Sequence, residues 1–282
     1  VSHDNTALPL LPEAAPGDGT DAQAYFAYGE AEIAHLKKKD KALARLIETV
    51  GPVRREVIPD IFMALVHAII GQQISAKAHL TVWKRACAMF APLTPEHVAS
   101  IPAATLQTCG ISLRKAAYVS EIARDIMSGR LDLAQLHGMD DDAVCRRLSE
   151  IRGIGMWTAE MLMTFSMQRK NILSRGDLAI QRGLRMLYRH RAITPALFAR
   201  YKKRYAPHAT VAGLYLWALA GGAYAGYADP AAPQPPKKPG QKHKNLSART
   251  GGPQNGQSSC AKIAPPWPQS GLGKKRAIPR ED

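Results

Sequence analysis

Apolar residues recur at helical spacing along most of this chain, and no stretch alternates apolar and β-branched residues with polar ones long enough to predict a strand. An all-α chain is expected. Residues 1–24 are rich in Pro, Gly, Asp and Ala, a composition that predicts a disordered arm. One polar helix is expected from Tyr25 to Val50, with Ile33, Leu36, Leu43 and Leu46 inward and Lys37, Lys38 and Lys39 on a solvated face. From Asp60 the chain is apolar through Ile70, too oily for a surface helix, and Gly71-Gln72-Gln73-Ile74-Ser75 ends the run. Leu80, Trp83, Cys87 and Phe90 define a further helix stopped by Ala91-Pro92, and Thr94-Pro95 starts a short one.

Ser112 caps a helix whose Ala116, Val119, Ile122 and Ile126 face inward as far as Ser128-Gly129. Asp140, Asp141 and Asp142 place acids at the positive end of the next helix, and its stripe of Val144, Leu148 and Ile151 stops at Gly153. A nearly all-apolar helix follows from Trp157 to about Phe165. Asp177 opens another, with Ile180, Leu184 and Leu187 at i, i+4, i+7. Thr194-Pro195 caps a helix to about Tyr205, Pro207 breaks it, and Leu214, Trp217 and Ala218 mark a last helix ending at Gly221-Gly222. Beyond residue 227 the chain turns to Pro, Lys, Gly, Ser and Gln, and residues 228–282 are expected to be a disordered tail.

Charge adds a partner to this picture. Thirty-eight basic residues face 23 acidic ones, for a net +15. The tail holds +7 of this and the N-terminal arm −4, so residues 25–227 carry +12 and the folded part is itself basic. Such an excess points to a polyanion. A membrane is not expected: the run from Ile61 to Ile70 falls short of the ~20 apolar residues a spanning helix needs, and residues 1–24 contain no Lys, no Arg and no apolar segment of a secretory signal. A cytoplasmic, nucleoid-associated location follows as an expectation. Cys87, Cys109, Cys145 and Cys260 share no metal-ligand spacing, so neither a disulfide framework nor a metal cluster is expected of them.

The chemistry centres on Arg152-Gly153-Ile154-Gly155-Met156-Trp157-Thr158-Ala159. Two glycines this close allow a tight turn with outward N–H groups, and the helix start after them leaves further donors for one phosphate oxygen. Taken alone, Gly-x-Gly also reads as a plain interhelical turn, and Asp177 as an ordinary helix cap.

The combination is more specific. Leu148-Ser149-Glu150-Ile151-Arg152-Gly153-Ile154-Gly155-Met156-Trp157-Thr158-Ala159, then Gly176-Asp177-Leu178-Ala179-Ile180-Gln181-Arg182-Gly183, resembles the helix-hairpin-helix and Gly/Pro-Asp signature of the base-excision DNA glycosylase superfamily, within it the 3-methyladenine DNA glycosylase II branch. Ala68-Ile69-Ile70-Gly71-Gln72-Gln73-Ile74-Ser75 and Ser112-Leu113-Arg114-Lys115-Ala116 extend the match, over residues 58–222.

The resemblance implies a two-subdomain helical bundle, with residues 25–57 plus 173–227 forming one unit and residues 58–172, ending in the hairpin, the other. It implies a monomer that binds duplex DNA, flips out an alkylated purine such as 3-methyladenine or 7-methylguanine, and hydrolyses its glycosidic bond. Asp177 would be the catalytic carboxylate, stabilising a sugar that resembles an oxocarbenium ion. Trp157 and Trp217 would line the base pocket, where aromatic faces attract a cationic base. Gln73 would fill the hole left in the duplex, and Gly153, Gly155 and Thr158 would hold the strand. The backbone carbonyls of Ser149, Ile151 and Gly153 would bind Na⁺ or K⁺. No iron-sulfur cluster is expected, because only Cys260 lies beyond Cys145.

Other readings of the residues stay open. Both tryptophans also suit a core, and Gln73 suits an ordinary turn. Relatives that also cleave the strand carry a lysine where this chain has Trp157, which favours hydrolysis by water alone; a bifunctional glycosylase/lyase for oxidised bases and a non-catalytic DNA-binding module are the rivals. Three departures from the pattern stand out: Ser174 occupies the place of a usual proline, Tyr205-Ala206-Pro207-His208-Ala209-Thr210 replaces a Trp-rich motif, and the segment before the first bundle helix is too short for an extra mixed α/β domain.

Overall fold

The computed structural model describes residues 24–222 and 224–231. The arm through residue 23 and the tail beyond residue 231 lie outside the described residues. Within them the chain forms twelve α-helices and one 3₁₀ turn, Gln135–Gly138. The helices are α1 (Glu30–Lys39), α2 (Lys41–Val50), α3 (Ile61–Gly71), α4 (Ala76–Met89), α5 (Pro95–Ser100), α6 (Ala103–Gln107), α7 (Leu113–Met127), α8 (Asp141–Ser149), α9 (Met156–Phe165), α10 (Leu178–Tyr188), α11 (Pro195–Tyr205) and α12 (Ala209–Gly221). Backbone pairing between strands is limited to one isolated bridge, Tyr25 to Glu56, among the described residues. No helix among them is long and apolar enough to cross a membrane.

The helices pack in two sets. α1, α2, α10, α11 and α12 lean on one another, while α3 packs on α4, α7 and α9, α5 and α6 pack on α7, and α8 packs on α9. Their buried residues join in one core that runs from Phe26 to Leu219. At its centre α3 buries Ile61, Phe62, Leu65, Val66, Ile69 and Ile70, and α12 buries nearly every residue from Ala209 to Ala220.

Two expectations about the helices need correction. The segment from Tyr25 to Val50 is two helices, because Asp40 is extended between them and its Oδ1 caps α2 by accepting from the Ala42 and Leu43 N–H groups at 2.9 Å. The same carboxylate, 5% exposed, accepts from Tyr188 Oη at 2.8 Å and Arg204 Nη1 at 2.6 Å, tying α10 and α11 to the α1–α2 junction. Burial alone would raise its pKa; the Leu43 N–H, Arg204 and Tyr188 outweigh that and hold it low. The chain after residue 227 also stays on the bundle for a few residues. Asp229 accepts two bonds from Arg185, at 2.9 and 2.6 Å, the fork geometry favoured between a guanidinium and a carboxylate.

Gly183 sets how closely α10 and α12 approach. A Cβ there would stand 2.5 Å from the Leu216 carbonyl oxygen, a backbone atom that cannot rotate away. Gly183→Ala should therefore push the two helices apart and destabilise the fold by about 1–3 kcal/mol despite the better helix propensity of alanine. Urea unfolding measures this, and a Gly183→Ala protein as stable as wild type would show that the two helices have room to separate.

Candidate active site

The hairpin is the turn between α8 and α9. Gly153 takes φ +90°, and a Cβ on it would stand 2.5 Å from the Tyr118 ring, so only glycine fits. Gly155 differs. Its φ of −89° is open to any residue, and nothing lies within 4 Å of the position its Cβ would take. Gly155 is also the N-cap of α9 and supplies no side-chain acceptor, and the first intrahelical bond closes only at the Ala159 N–H, onto the Gly155 carbonyl at 2.9 Å. The start of α9 therefore presents N–H donors over open space, where a phosphate can approach. Thr158 is 7% exposed, so its hydroxyl has little access to this surface.

The turn between α3 and α4 is fastened to the hairpin. Gln72 Nε2 donates to the Gly153 carbonyl at 2.8 Å, and Lys115 Nζ donates to the carbonyls of Ile70 and Gln72 at 2.9 and 2.6 Å. His79 fills the space above Gly71 and bonds the His67 carbonyl at 3.0 Å. With its neighbours held, Gln73 takes φ +58° and is exposed. Positive φ is uncommon for a non-glycine residue, and Gln73 shares it with Gln168 and with Arg189, the C-cap of α10.

Asp177 lies beside the hairpin helix. Its Oδ1 accepts from the Ala179 and Ile180 N–H groups at 2.8 and 2.9 Å, capping α10, and its Oδ2 accepts from Trp157 Nε1 at 3.0 Å. Only 3% of Asp177 is exposed. Capping and the tryptophan contact thus occur together, one on each oxygen. The loop leading to Asp177 is pinned along its length: Thr210 Oγ1 accepts from the Ile172 N–H at 2.9 Å and donates to the Arg169 carbonyl at 2.6 Å, Ser174 Oγ bonds Glu160, and Gln181 Nε2 donates to the Arg175 carbonyl at 2.7 Å. Thr210 belongs to one of the departures noted above, and it does this work from the first turn of α12.

Of the two tryptophans, the structure joins only Trp157 to Asp177. Trp217 packs on Phe165, at the far end of α9, with ring centroids 5.3 Å apart, and its indole nitrogen is buried without a hydrogen-bond partner. Exposed apolar side chains flank the pair, Met156 before Trp157 and Leu178 after Asp177.

Arg55, placed by the sequence only in a connecting segment, is buried at 7% exposure. Its guanidinium sits 5.3 Å over the Phe165 ring. Burial pulls its pKa down to about 10, while Glu56 and Asp177 act to raise it. It comes from the extended segment that pairs with residues 24–26, through the Phe26 N–H to the Arg55 carbonyl and the Val57 N–H to the Ala24 carbonyl. An arginine in a connecting segment carries no sequence sign of burial.

A hollow behind the hairpin, lined by Tyr118, Ile122, Leu131 and Ile151 together with charged side chains, has those charges paired as Arg130–Asp125, Arg147–Glu150 and Arg152–Glu121, and Asp177 and Trp157 are not part of its lining. No group of three or more His, Cys, Asp or Glu residues could hold a metal among the described residues. Cys109 and Cys145 are free thiols. Cys260 lies outside the described residues.

Comparison with known proteins places this arrangement. The family described as HhH-GPD superfamily base excision DNA repair protein matches residues 66–207. DNA-3-methyladenine glycosylase 1 of Schizosaccharomyces pombe is 30% identical over 200 residues, covering 67% of this chain and 86% of that protein. Among solved structures, a DNA-3-methyladenine glycosidase from Bacillus halodurans superposes with a TM-score of 0.63 at 36% identity, over 70% of this chain and 93% of that one. The S. pombe 3-methyladenine DNA glycosylase in complex with abasic DNA superposes with a TM-score of 0.61 at 28% identity, over 71% of this chain and all of that one (100%).

Proposed function

The chain belongs to the HhH-GPD superfamily of base excision DNA repair proteins, and we propose that it is a monofunctional DNA glycosylase, an N-glycosyl hydrolase that removes alkylated purines from duplex DNA. One observation carries the reading: the helix whose N-terminus follows the hairpin glycines also presents Trp157 to the Asp177 carboxylate, at 3.0 Å. Strand grip, base wall and anion are thus built from one turn of α9 and the cap of α10.

A base inside a duplex must be turned out before its C1′–N bond can be reached, at a cost of a few kcal/mol. The donors at the start of α9 hold the strand, and Gln73 fills the vacated stack. An alkylated purine cation leaves readily, because departure with the bonding electron pair makes it neutral. The sugar left behind is an oxocarbenium-like cation, and the charge on Asp177 stabilises it. Water adds its oxygen to C1′ and releases a proton, leaving an abasic site and a free base. With Trp157 in the position of the lyase lysine, no amine attacks C1′, and the strand stays intact.

Na⁺ or K⁺ at the hairpin would be held by the backbone carbonyls of Ser149, Ile151 and Gly153, hard oxygen donors suited to such ions. The Ile151 carbonyl accepts the Ile154 N–H at 2.9 Å and the Gly153 carbonyl accepts Gln72 Nε2 at 2.8 Å, and each keeps a second lone pair for an ion. When bound, the ion adds positive charge beside the phosphate. The protein acts as a monomer on this reading, since one chain supplies every group named.

The test is incubation with alkylated, deaminated and oxidised duplex DNA in parallel. Free methylated purine should appear without strand cleavage, and borohydride should trap no protein–DNA adduct. A trapped adduct would move the protein to the lyase class; DNA binding with no base released would make it a binding module.

A further inference from the structure

Glu160 lies three residues beyond Trp157 on α9, one turn away on the same face. Its carboxylate accepts the hydroxyl of Ser174, a residue 1% exposed in the loop three positions before Asp177. A Cβ added to Gly176, between them, would stand 3.9 Å from both Ser174 Oγ and Trp157 Cβ, so this loop is laid against the turn of α9 that carries Trp157 and Glu160. Two acidic side chains therefore flank the loop, Asp177 joined to Trp157 and Glu160 joined to Ser174.

On the glycosylase reading above, we propose that Glu160 and Ser174 are a positioning pair for the reaction: the ionised Glu160 holds the loop through Ser174 so that Asp177 keeps its place against Trp157, and adds a second negative charge behind the one facing the sugar. Ser174 stands where the resembled family usually has proline. A hydroxyl–carboxylate bond from α9 to the loop fixes that loop by a contact to a second element, where a ring fixes it by its own backbone torsion.

Four groups face the Glu160 carboxyl. Ser174 lies on the loop, Lys202 on α11, Asp177 at the cap of α10 and Cys145 on α8. Burial pushes the carboxyl up from the ordinary glutamate value, the Ser174 bond and Lys202 oppose that, and Asp177 adds to it. Protonation of Glu160 thus begins above the usual glutamate range, and with it the charge-assisted bond to Ser174 weakens.

The experiment uses the full chain on duplex DNA carrying 7-methylguanine, with single-turnover rates read against pH and melting temperatures confirming that every variant is folded at the assay temperature. Ser174→Ala and Glu160→Ala should each slow base release about tenfold at neutral pH with DNA affinity unchanged, since small misplacements of a reacting group cost that much or more. The double variant should be no slower than either alone, because both remove one contact. Glu160→Gln keeps an acceptor for Ser174 and should be intermediate. Its rate should also lack the fall that wild type shows as pH drops through the raised Glu160 range. Additive losses in the double variant, or a Glu160→Gln profile that keeps the wild-type fall, would overturn this inference while leaving the glycosylase reading intact. A wild-type protein that releases no methylated base from any of the DNAs would overturn that reading and this inference with it.

Discussion

Asp177→Asn should lower the rate of base release about a thousandfold, roughly 4 kcal/mol of barrier, with DNA binding within about twofold of wild type. The substitution is nearly isosteric, and asparagine is as good a helix cap as aspartate, so the bonds from the Ala179 and Ile180 N–H groups survive on one oxygen. The other oxygen becomes an amide nitrogen. It then faces Trp157 Nε1 donor to donor at the 3.0 Å separation that now holds a bond, and the charge that balances the sugar cation is gone. The fold should lose about 2–3 kcal/mol, since a bond to a charged group is removed and a part-buried indole N–H is left facing a donor. Single-turnover release of methylated base, beside equilibrium binding to the same duplex, separates the two effects. A variant that binds normally and releases base at the wild-type rate would remove Asp177 from the chemistry.

Two kinds of information meet at that residue, and they differ in how far the sequence carries them. The caps were readable because they are local: Asp140, Ser112, Thr94, Thr194 and Asp177 each accept N–H groups two or three residues ahead, as their positions at the start of an apolar stripe imply. The glycine turn was readable for the same reason, although the structure divides the work that sequence assigns to both glycines. Gly153 alone needs the positive φ, and Gly155 leaves space clear.

What stayed hidden is long-range. Asp40 looks like any surface aspartate between two lysines, yet it gathers Tyr188 and Arg204 from 148 and 164 residues away and splits the expected first helix. Arg55 reaches the site from a segment with no motif, and Thr210 from one where the departure from the family pattern conceals what the hydroxyl does. Glu160 lies inside a helix whose apolar run masks it, and only the return of the Ser174 loop gives it a partner. The periodicity that identifies a helix says nothing about which distant loop will cross it.

Trp157 tests the base pocket more sharply than it tests the fold, because its two parts can be removed separately. Trp157→Phe keeps an aromatic face and deletes the indole N–H that bonds Asp177; release of 7-methylguanine should fall about tenfold, the worth of one hydrogen bond to a charged group. Trp157→Ala removes the face as well, and the loss should reach about a hundredfold as stacking and cation–π attraction go with it. The comparison that decides between a pocket and a structural role is the dependence on base charge. A cationic base such as 7-methylguanine gains from the ring quadrupole and a neutral one such as hypoxanthine does not, so any measurable release of the neutral base should suffer less from Trp157→Ala. Equal losses on both bases, with the melting temperature lowered in step, would instead make Trp157 a strut that holds Asp177 in place, and would leave the choice of base to side chains elsewhere, with Trp217 on Phe165 the first to examine.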